Sequence, residues 1–473
     1  MVCFRIKRQI NEETLMKKGN IYEGTVIEAQ FGGKGLVDVK EDDTHYKVAV
    51  KGTIPGQKIR FRLTKKKSSK LEGRLLELLE KSPLEDRVAP CKHFGHCGGC
   101  SFQNMSYENQ LQLKSDIVKK ILDEAISYQY EYEGIIGSPD EFHYRNKMEY
   151  SFGDEYKDGP MALGMHKKES FYDIITTDNC MIVGDDYNKI LKAVLAFAQK
   201  KGLHYFHKIT HSGYLRHLLV RRSATTGEIT VNLVTTTQED IDFAPLKDTL
   251  LALELEGTIV GITHIYNDSV ADAVKCDKME LIYGRDYVTE NIMGLGFKVS
   301  TFSFFQTNSR GAEKLYEKAR EYIGITENKI VFDLYSGTGT IAQVLAPVAD
   351  KVVGVEIVEE AVEAARINSE SNGLNNCSFI AGDVLKVLDD IKEKPDLIIL
   401  DPPRDGIHPK ALTKIINYDV ERMVYISCKP TSLARDLEIL QANGYRVNRA
   451  CAVDMFAQNA NVETIVLFEK TTG

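Results

Sequence analysis

The last third of this chain alternates short apolar runs with helical segments. From about residue 311 onwards the apolar runs are Val331-Phe332, Val352–Val355, Leu397–Leu400, Met423–Ile426 and Ile465–Phe468. Helical periodicity marks the stretches between them, for instance Glu359–Asn372 and Thr431–Ala442. Apolar strands that alternate with helices indicate an α/β fold with a doubly wound parallel sheet. Ligands bind such sheets at the carboxyl ends of the strands, so the residues that follow each strand are the candidates for a site.

The part of the chain before this sheet predicts two further domains. Residues 14–78 contain short strand-like runs broken by glycine, aspartate and proline turns, which predicts a small OB-like β-barrel. Residues 79–305 combine helices at Tyr107–Ala125 and 187–201 with alternating apolar and polar runs, which predicts a central α+β domain with a mainly antiparallel sheet. The doubly wound sheet then occupies residues 306–473, so the 473 residues divide into three domains.

The charge of the chain is unevenly distributed. A net charge of −8 does not indicate a nucleic-acid-binding protein, yet eight cations and one acid lie between Lys58 and Arg74. A second basic cluster comprises Arg216, His217, Arg221 and Arg222. An isolated basic run is more often a solvated loop, but two clusters in separate segments favour a surface that contacts phosphates.

The chain has no run of 18 or more apolar residues, so its sequence predicts no membrane span. The first residues, Met1–Arg8, lack the apolar core of a signal peptide. We therefore expect a cytoplasmic protein.

A glycine loop and two acidic residues follow three of the predicted strands. Gly337 and Gly339 come after the first strand, and Glu356 ends the second, where its carboxylate could accept hydrogen bonds from ribose hydroxyls. Nicotinamide-binding enzymes share these two features. The strand Leu397–Leu400 ends at Asp401-Pro402-Pro403, which resembles the motif of class I methyltransferases that use S-adenosylmethionine. Enzymes that methylate amino groups carry an aromatic residue in the next position, where this chain has Arg404.

A cysteine and a glutamate complete this set. Cys428 follows the strand Met423–Ile426 within Ser427-Cys428-Lys429-Pro430, and Glu463 begins the last strand. Singly, such a cysteine is more often a small buried apolar residue, and such a glutamate is usually solvated. Next to a methyl-donor pocket, however, a catalytic role is favoured for both residues. A thiolate can add to carbon 6 of a pyrimidine, and a carboxylate can then remove the proton from carbon 5. Lys429 would favour the thiolate if its side chain turns towards it.

These motifs resemble the RNA uracil-5-methyltransferase family from Phe304–Asn308 as far as Glu463. The resemblance implies that Cys428 is the nucleophile and Glu463 the base. It also implies that the S-adenosylmethionine site is lined by Gln306, Tyr335, Glu356 and Asp401. Members often carry proline-histidine after Asp-Met-Phe and a histidine before Val-Glu, whereas this chain has Ala457–Asn461 there. The departure concerns local contacts with the substrate rather than the reaction.

Four of the nine cysteines form a pattern of their own. Cys91, Cys97 and Cys100 have the spacing Cys-x5-Cys-x2-Cys, and Cys180 lies far downstream. Three clustered thiolates and a remote fourth suit a closed [4Fe–4S] cluster. Uracil-5-methyltransferases with a TRAM domain, an RNA-binding barrel that Lys51–Gln57 resembles, have this arrangement. Zinc, with a nearby histidine as a further ligand, is the alternative. We expect the cluster to serve folding or RNA docking, because the chemistry needs no electron transfer.

The sequence therefore predicts a monomeric enzyme that makes 5-methyluridine in RNA, with 23S ribosomal RNA as the substrate and transfer RNA as the alternative. An RNA-binding or chaperone protein on a retired methyltransferase fold is an alternative of another class, and the intact Cys428 and Glu463 disfavour it. A cytosine-5 enzyme would use the same covalent chemistry, but its usual Pro-Cys motif is missing here.

Overall fold

The computed structural model describes residues 16–67, 70–271 and 274–471. The N-terminal residues Met1–Arg8 and the first two residues of the predicted barrel domain lie outside this description. The chain divides into two compact units, Met1–Arg87 and Val88–Gly473. The second unit spans both the predicted central and the predicted catalytic domain, so the boundaries of the three-domain division stay a prediction. No helix in the described residues is long and apolar enough to cross a membrane.

The first unit contains the predicted barrel. Its five strands are β1 (Ile21–Gln30), β2 (Lys34–Glu41), β3 (Thr44–Lys51), β4 (Lys58–Lys67) and β5 (Lys70–Glu80). They close in the order β1-β2-β3-β5-β4, with β1 paired to β4. Alternate residues such as Val37, Val48 and Phe61 are fully buried inside it, as the two-residue period of a strand requires. Our sequence-based prediction missed β5, because its charged residues hide that alternation.

Salt bridges between neighbouring strands neutralise much of the first basic cluster. Strand β5 runs antiparallel to β4 and brings acidic residues from beyond position 74 alongside the cations. The pairs are Lys58 with Glu80 at 3.3 Å, Arg60 with Glu23 at 2.7 Å and also with Glu77, and Lys65 with Glu72 at 3.3 Å. The eight-to-one excess of cations in the sequence therefore overstates the positive charge that the barrel presents.

The second unit contains the predicted doubly wound α/β sheet, now with eight strands. In chain order they are β6 (Glu131–Ile136), β16 (Ile330–Leu334), β17 (Lys351–Glu356), β18 (Cys377–Ala381), β19 (Leu397–Leu400), β20 (Arg422–Ser427), β21 (Tyr445–Val453) and β22 (Glu463–Lys470). Their spatial order is β18-β17-β16-β19-β20-β22-β21-β6. Strands β16 to β20 are parallel, whereas β22 runs antiparallel to both β20 and β21.

Helices lie between the strands of this sheet. They are α4 (Ser309–Ile323), α5 (Thr340–Leu345), α6 (Glu359–Ser371), α7 (Val384–Val387), α8 (Pro409–Ile416) and α9 (Pro430–Ala442), with a 3-10 turn at Ala346–Val348. The α/β class is confirmed. Strand β6 comes from the predicted central domain, yet it pairs in parallel with β21 and forms one edge of the sheet. The central region is thus built into the catalytic sheet.

The central region has a seven-stranded sheet of its own. Its strands are β7 (Lys147–Asp154), β8 (Met161–His166), β9 (Ile174–Thr176), β10 (Leu215–Arg222), β11 (Glu228–Thr235), β12 (Thr258–Tyr266) and β13 (Lys278–Gly284), in the order β13-β12-β11-β10-β7-β8-β9. A hairpin of β14 (Tyr287–Ile292) and β15 (Leu295–Ser300) follows. The helices are α1 (Tyr107–Ala125), α2 (Asp185–Lys201) and α3 (Ala244–Leu251). The pairing is antiparallel except between β11 and β12, which agrees with the predicted α+β character.

Most of the second basic cluster is buried on β10. Arg216 is 4% exposed, and its guanidinium donates to the backbone oxygens of Asn267, at 2.7 Å, and Ser269. Arg222 lies 3.1 Å from the buried carboxylate of Asp186. The prediction that this cluster contacts phosphates is therefore wrong for Arg216, whose buried guanidinium holds a loop in place, whereas the partly exposed Arg222 pairs with Asp186 of helix α2. The sequence could not distinguish such arginines from exposed ones.

Candidate active site

One cleft in the second unit collects the ten residues that the sequence predicts as donor-site, catalytic and cluster-binding residues. Its volume is about 1880 Å³, larger than the roughly 300–1000 Å³ of a usual small-molecule pocket. Its walls include the predicted donor-site, catalytic and cysteine residues, namely Gln306, Tyr335, Glu356, Asp401, Cys428, Glu463, Cys91, Cys97, Cys100 and Cys180. The structure thus brings the ten residues to one cavity, with room for more than one ligand.

The register of the sheet explains why three of them meet. Leu334, the last residue of β16, pairs with Val355 on β17 and with Leu400 on β19. The next residues along these strands, Tyr335, Glu356 and Asp401, therefore emerge together at the carboxyl edge of the sheet.

The glycine loop fixes the carboxylate of Glu356. The backbone N–H of Gly337 donates to Oε2 at 3.0 Å, and that of Val358 donates to Oε1 at 2.9 Å. Tyr335 has φ of +68°, a conformation that is uncommon outside glycine and often found at ligand sites. The hydroxyl of Ser336 is buried in the same wall without a hydrogen-bond partner among the described residues. This wall therefore offers a ligand one oriented carboxylate and one unused hydroxyl.

Close packing requires glycine at the start of α5. Gly339 has φ of +70°, and a Cβ there would lie 2.5 Å from Cε1 of Phe379. The ring of Phe379 belongs to β18 and is buried beneath the loop. Gly339 is therefore needed because the backbone turns here in close contact with an aromatic ring.

The wall that carries Gln306 is held by the central region. The side chain of Asn146 donates to the backbone oxygen of Gln306 at 2.9 Å. Asn308 caps helix α4 by accepting from the N–H of Gly311 at 2.9 Å. Sequence reasoning missed Asn146, because no local motif marks a residue that acts 160 positions away.

Antiparallel pairing places the thiol beside the glutamate. Ser427, the last residue of β20, pairs with Thr464 on β22. Cys428 and Glu463 therefore emerge side by side at the edge where Asp401 also ends its strand. A thiol and a carboxylate here face one ligand in the cleft.

Burial governs the charge state of this group. Burial, together with the carboxylates of Glu463 and Asp401, raises the pKa of the Cys428 thiol to about 11. Burial also raises the pKa of Glu463 to about 8 and that of Asp401 to about 7. Arg404 opposes these effects, since its guanidinium lowers the pKa of both Cys428 and Glu463.

The cation that acts on the thiol is thus Arg404 and not Lys429. The Lys429 ammonium lies 3.9 Å from Oδ1 of Asp405, whereas the Arg404 guanidinium lowers the pKa of Cys428. The expectation that Lys429 favours the thiolate is not met, because the chain turns into α9 immediately after the cysteine.

We expect Arg404→Gln to slow alkylation of Cys428 by roughly tenfold at pH 8, since one pKa unit changes the thiolate fraction tenfold. The measurement is the rate of iodoacetamide labelling of the Cys428 peptide, followed by mass spectrometry across the pH range. Lys429→Gln is the matched control and should label at the wild-type rate. Equal rates in wild type and Arg404→Gln would contradict the role of the guanidinium.

The four cysteines line the same cleft. Burial, together with the neighbouring cysteines, raises the pKa of Cys100 to about 12 and that of Cys180 to about 11. The N–H of Gly99 donates to the sulfur of Cys97 at 3.4 Å. Within residues 16–67, 70–271 and 274–471, however, no group of three or more His, Cys, Asp or Glu side chains is arranged to hold a metal ion. The thiols are gathered in one region without surrounding a common point.

Comparisons with known proteins agree over most of the chain. A sequence model of the tRNA (uracil-5-)-methyltransferase family matches residues 106–471. An uncharacterized RNA methyltransferase of Caldanaerobacter subterraneus is 47% identical over 96% of this chain and 100% of its own length. Another, of Clostridium tetani, is 46% identical over 95% of this chain and 98% of its own length.

A solved structure is similar along nearly the whole chain. It is the Pyrococcus abyssi tRNA (uracil-54, C5)-methyltransferase in complex with S-adenosyl-L-homocysteine. It has a TM-score of 0.74 and 26% identity, and it covers 94% of this chain and 100% of that one.

Proposed function

We propose a substrate and a chemical route for this chain, which belongs to the tRNA (uracil-5-)-methyltransferase family and is an S-adenosylmethionine-dependent RNA methyltransferase. The substrate is a uridine in 23S ribosomal RNA, and the route is a covalent adduct with Cys428. The observation that carries the route is the meeting of Cys428, Glu463 and Asp401 at one edge of the sheet, inside the cleft whose wall holds Glu356.

Two side chains perform the covalent chemistry. The Cys428 thiolate, stabilised by Arg404, forms a bond to carbon 6 of the uracil, and the electrons of the C5–C6 double bond move to give an enolate. When bound, S-adenosylmethionine supplies an electrophilic methyl group to carbon 5 and leaves as S-adenosylhomocysteine. The Glu463 carboxylate then takes the proton from carbon 5. The double bond re-forms, and the thiolate is released.

The donor site uses the wall already described. We assign Glu356 to the ribose hydroxyls, because backbone N–H groups hold its carboxylate in a fixed orientation. Gln306, Tyr335 and Asp401 line the same space. The unused hydroxyl of Ser336 is a further group for the polar part of the donor. Fixed groups of this kind orient a ligand at a low cost in entropy.

The choice of 23S ribosomal RNA over transfer RNA rests on the presence of both the barrel and the four cysteines that line the cleft. Transfer RNA is the second candidate, and the similarity to the Pyrococcus abyssi transfer RNA enzyme favours it. Mapping of 5-methyluridine in a deletion strain tests both. Loss from 23S ribosomal RNA alone would support the proposal, whereas loss from transfer RNA alone would replace the substrate.

The proposed route needs one copy of the chain. The proposed catalytic and donor residues all lie in the second unit of one chain, so we propose a monomer. We also propose that the enzyme works in the cytoplasm, where ribosomal RNA is available. Size-exclusion chromatography with light scattering tests the first statement.

We propose further that Cys91, Cys97, Cys100 and Cys180 hold a [4Fe–4S] cluster. The proposal rests on four thiols that line one cleft, although among the described residues they do not surround a common point. The N–H donor to Cys97 resembles the hydrogen bonds that tune cluster sulfurs. Bound iron would keep the thiols deprotonated against the effect of burial. No step of the methyl transfer passes through the cluster.

Anaerobically purified protein is expected to contain about four irons per chain and to absorb broadly near 400 nm, as such clusters do. Replacing any one of the four cysteines by serine should remove the absorption and lower solubility. Cys377→Ser is the control, because Cys377 lies on β18 outside the cleft. Stoichiometric zinc without iron would contradict the assignment.

The barrel is proposed to bind RNA through the cations that flank the β4–β5 turn. We expect the double variant Lys67→Gln and Lys70→Gln to weaken RNA binding and to reduce its salt slope by about 0.7 to 0.9 for each phosphate that the lysines no longer neutralise. The matched control is Lys58→Gln with Lys65→Gln, whose ammonium groups are paired with Glu80 and Glu72. A salt slope unchanged in the first variant would show that the barrel does not track phosphates.

A further inference from the structure

The segment Asp454–Asn461 joins two parts of the cleft that the reaction does not obviously connect. It contains the stretch where the sequence departs from the family pattern, and it leads from β21 directly to Glu463, the first residue of β22. One side of the segment contacts the cysteine loop, defined here as Cys91–Gln103. The other side contacts helix α1.

Three hydrogen bonds join the segment to the cysteine loop. The N–H groups of Ser101 and Phe102 donate to the backbone oxygen of Gln458 at 2.8 and 3.2 Å. The side chain of Asn459 donates to the backbone oxygen of Gly99, which lies between Cys97 and Cys100, at 3.1 Å. The segment is therefore fixed to the backbone that carries two of the thiols.

Asn459 also links the cysteine loop to the backbone that precedes Glu463, the proposed base. Its Oδ1 accepts from the N–H of Asn461 at 3.1 Å, and Asn461 lies two residues before Glu463. A single side-chain amide thus spans the distance from the cysteine loop to the backbone that leads into β22. Glu463 is the first residue of β22 and pairs with Val453 on β21, while the pairing with β20 begins only at Thr464, so the residues that precede Glu463 also contribute to where its carboxylate points.

Buried polar contacts hold the other side of the segment. Gln458 is fully buried and has φ of +67°. The side-chain amide of Gln110 on α1 donates to Oε1 of Gln458 at 2.9 Å, and the backbone N–H of Gln458 donates to Oε1 of Gln110 at 3.0 Å. The buried ammonium of Lys114 lies 2.8 Å from Asp454 and donates to the backbone oxygen of Phe456 at 3.0 Å. Breaking such buried contacts is costly. The segment therefore has little freedom to move independently of its two neighbours.

We propose that the segment Asp454–Asn461 transmits the position of the cysteine loop to Glu463, with Asn459 as the positioning residue. This inference rests on the proposed function, in which Glu463 removes the proton from carbon 5. Glu356, Asp401 and Cys428 end or follow β17, β19 and β20, outside this connection, whereas Asn308, two residues after Gln306, donates to the backbone oxygen of Met455 in the segment at 3.2 Å. The bond at Met455 does not involve Asn459, so loss of the Asn459 contacts is expected to slow proton removal and to leave donor binding and thiol addition as they were.

The variant Asn459→Ala tests this in the full-length protein as purified. We expect a roughly tenfold fall in kcat, the upper end of the scale for removal of a partly buried hydrogen bond. The affinities for S-adenosylmethionine and RNA should stay at the wild-type values, as should the iron content. With ordinary substrate RNA the fraction of enzyme held as methylated adduct on denaturing gels should rise severalfold. Asn448→Ala is the matched control, because Asn448 is exposed on β21 and contacts Glu469 instead.

A second variant guards against a folding defect. Gln458→Asn keeps a side chain that tolerates positive φ but is too short for the pair with Gln110, and the same accumulation of adduct is expected. If both variants keep the wild-type kcat and adduct fraction, the inference is overturned and the proposed function stands. A raised KM for RNA with unchanged kcat would have the same meaning. If wild-type enzyme forms no adduct even with 5-fluorouridine RNA, the covalent function fails and the inference fails with it.

Discussion

Replacement of Cys428 by alanine is expected to abolish methyl transfer and to leave the affinity for S-adenosylmethionine unchanged. In the proposed route the thiol makes the bond to carbon 6 that renders carbon 5 nucleophilic, so its loss should lower kcat by roughly four orders of magnitude or more. The proposed donor wall consists of Gln306, before α4, and of residues at the carboxyl ends of β16, β17 and β19, and Cys428 is not among them. Methyl transfer from labelled S-adenosylmethionine and calorimetric titration of the donor measure the two quantities.

Trapping with 5-fluorouridine RNA identifies the nucleophile directly. The wild-type enzyme should become covalently linked, because fluorine at carbon 5 cannot leave as a proton. Cys377→Ala should trap as the wild type does, whereas Cys428→Ala should not. Activity that persists in Cys428→Ala, together with a failure to trap wild type, would refute the covalent route.

The trapping rate should also depend on pH in a defined direction. With a Cys428 pKa of about 11, the thiolate fraction grows about tenfold for each pH unit below that value. The rate of adduct formation should therefore rise between pH 7 and pH 9. A rate independent of pH in this range would mean that bound RNA lowers the pKa of the thiol or that another step limits trapping.

The variant Glu463→Gln is expected to add to uracil and accept the methyl group but to stall before release. Glutamine cannot take the proton from carbon 5, so turnover should fall by about 10² to 10⁴, the range of general-base contributions. The methylated enzyme–RNA adduct should accumulate on denaturing gels. Full turnover by this variant would transfer the role to another group, and Asp401, which emerges at the same edge, would be tested next as Asp401→Asn.

The same variant should change the pH dependence of stability. Burial raises the pKa of Glu463 to about 8 in the folded protein, against about 4.3 in an unfolded chain. Its contribution to stability is present below about pH 4 and is lost as the pH rises through about 8. Glutamine does not titrate, so the Tm of ligand-free Glu463→Gln should exceed that of wild type by an amount that grows from pH 5 to pH 9. A constant difference in Tm would show that the carboxylate is not desolvated in the folded state.

The elements with strong hydrophobic periodicity were predictable from the sequence. Helix α1 begins and ends at the predicted residues, Tyr107 and Ala125, and the five apolar runs of the catalytic sheet all became strands. Strands β5, β6, β18 and β21 were not predicted. In β5 and β21, charged or polar residues alternate with apolar ones near a sheet edge or a barrel wall, and only pairing with a neighbour makes them strands.

The residues that follow parallel strands were predictable as a site because such strand ends share one edge of the sheet. The sequence by itself therefore determined which groups meet: a thiol, a glutamate, an aspartate and a donor wall. Only the tertiary structure decided their surroundings. The turn into α9 set Arg404 and not Lys429 beside Cys428, burial of β10 removed Arg216 from the surface, and strand pairing brought Glu77 and Glu80 to the cations of β4. Each outcome depends on contacts between segments distant in sequence, and local patterns carry no information about side-chain direction or charge pairing across such distances.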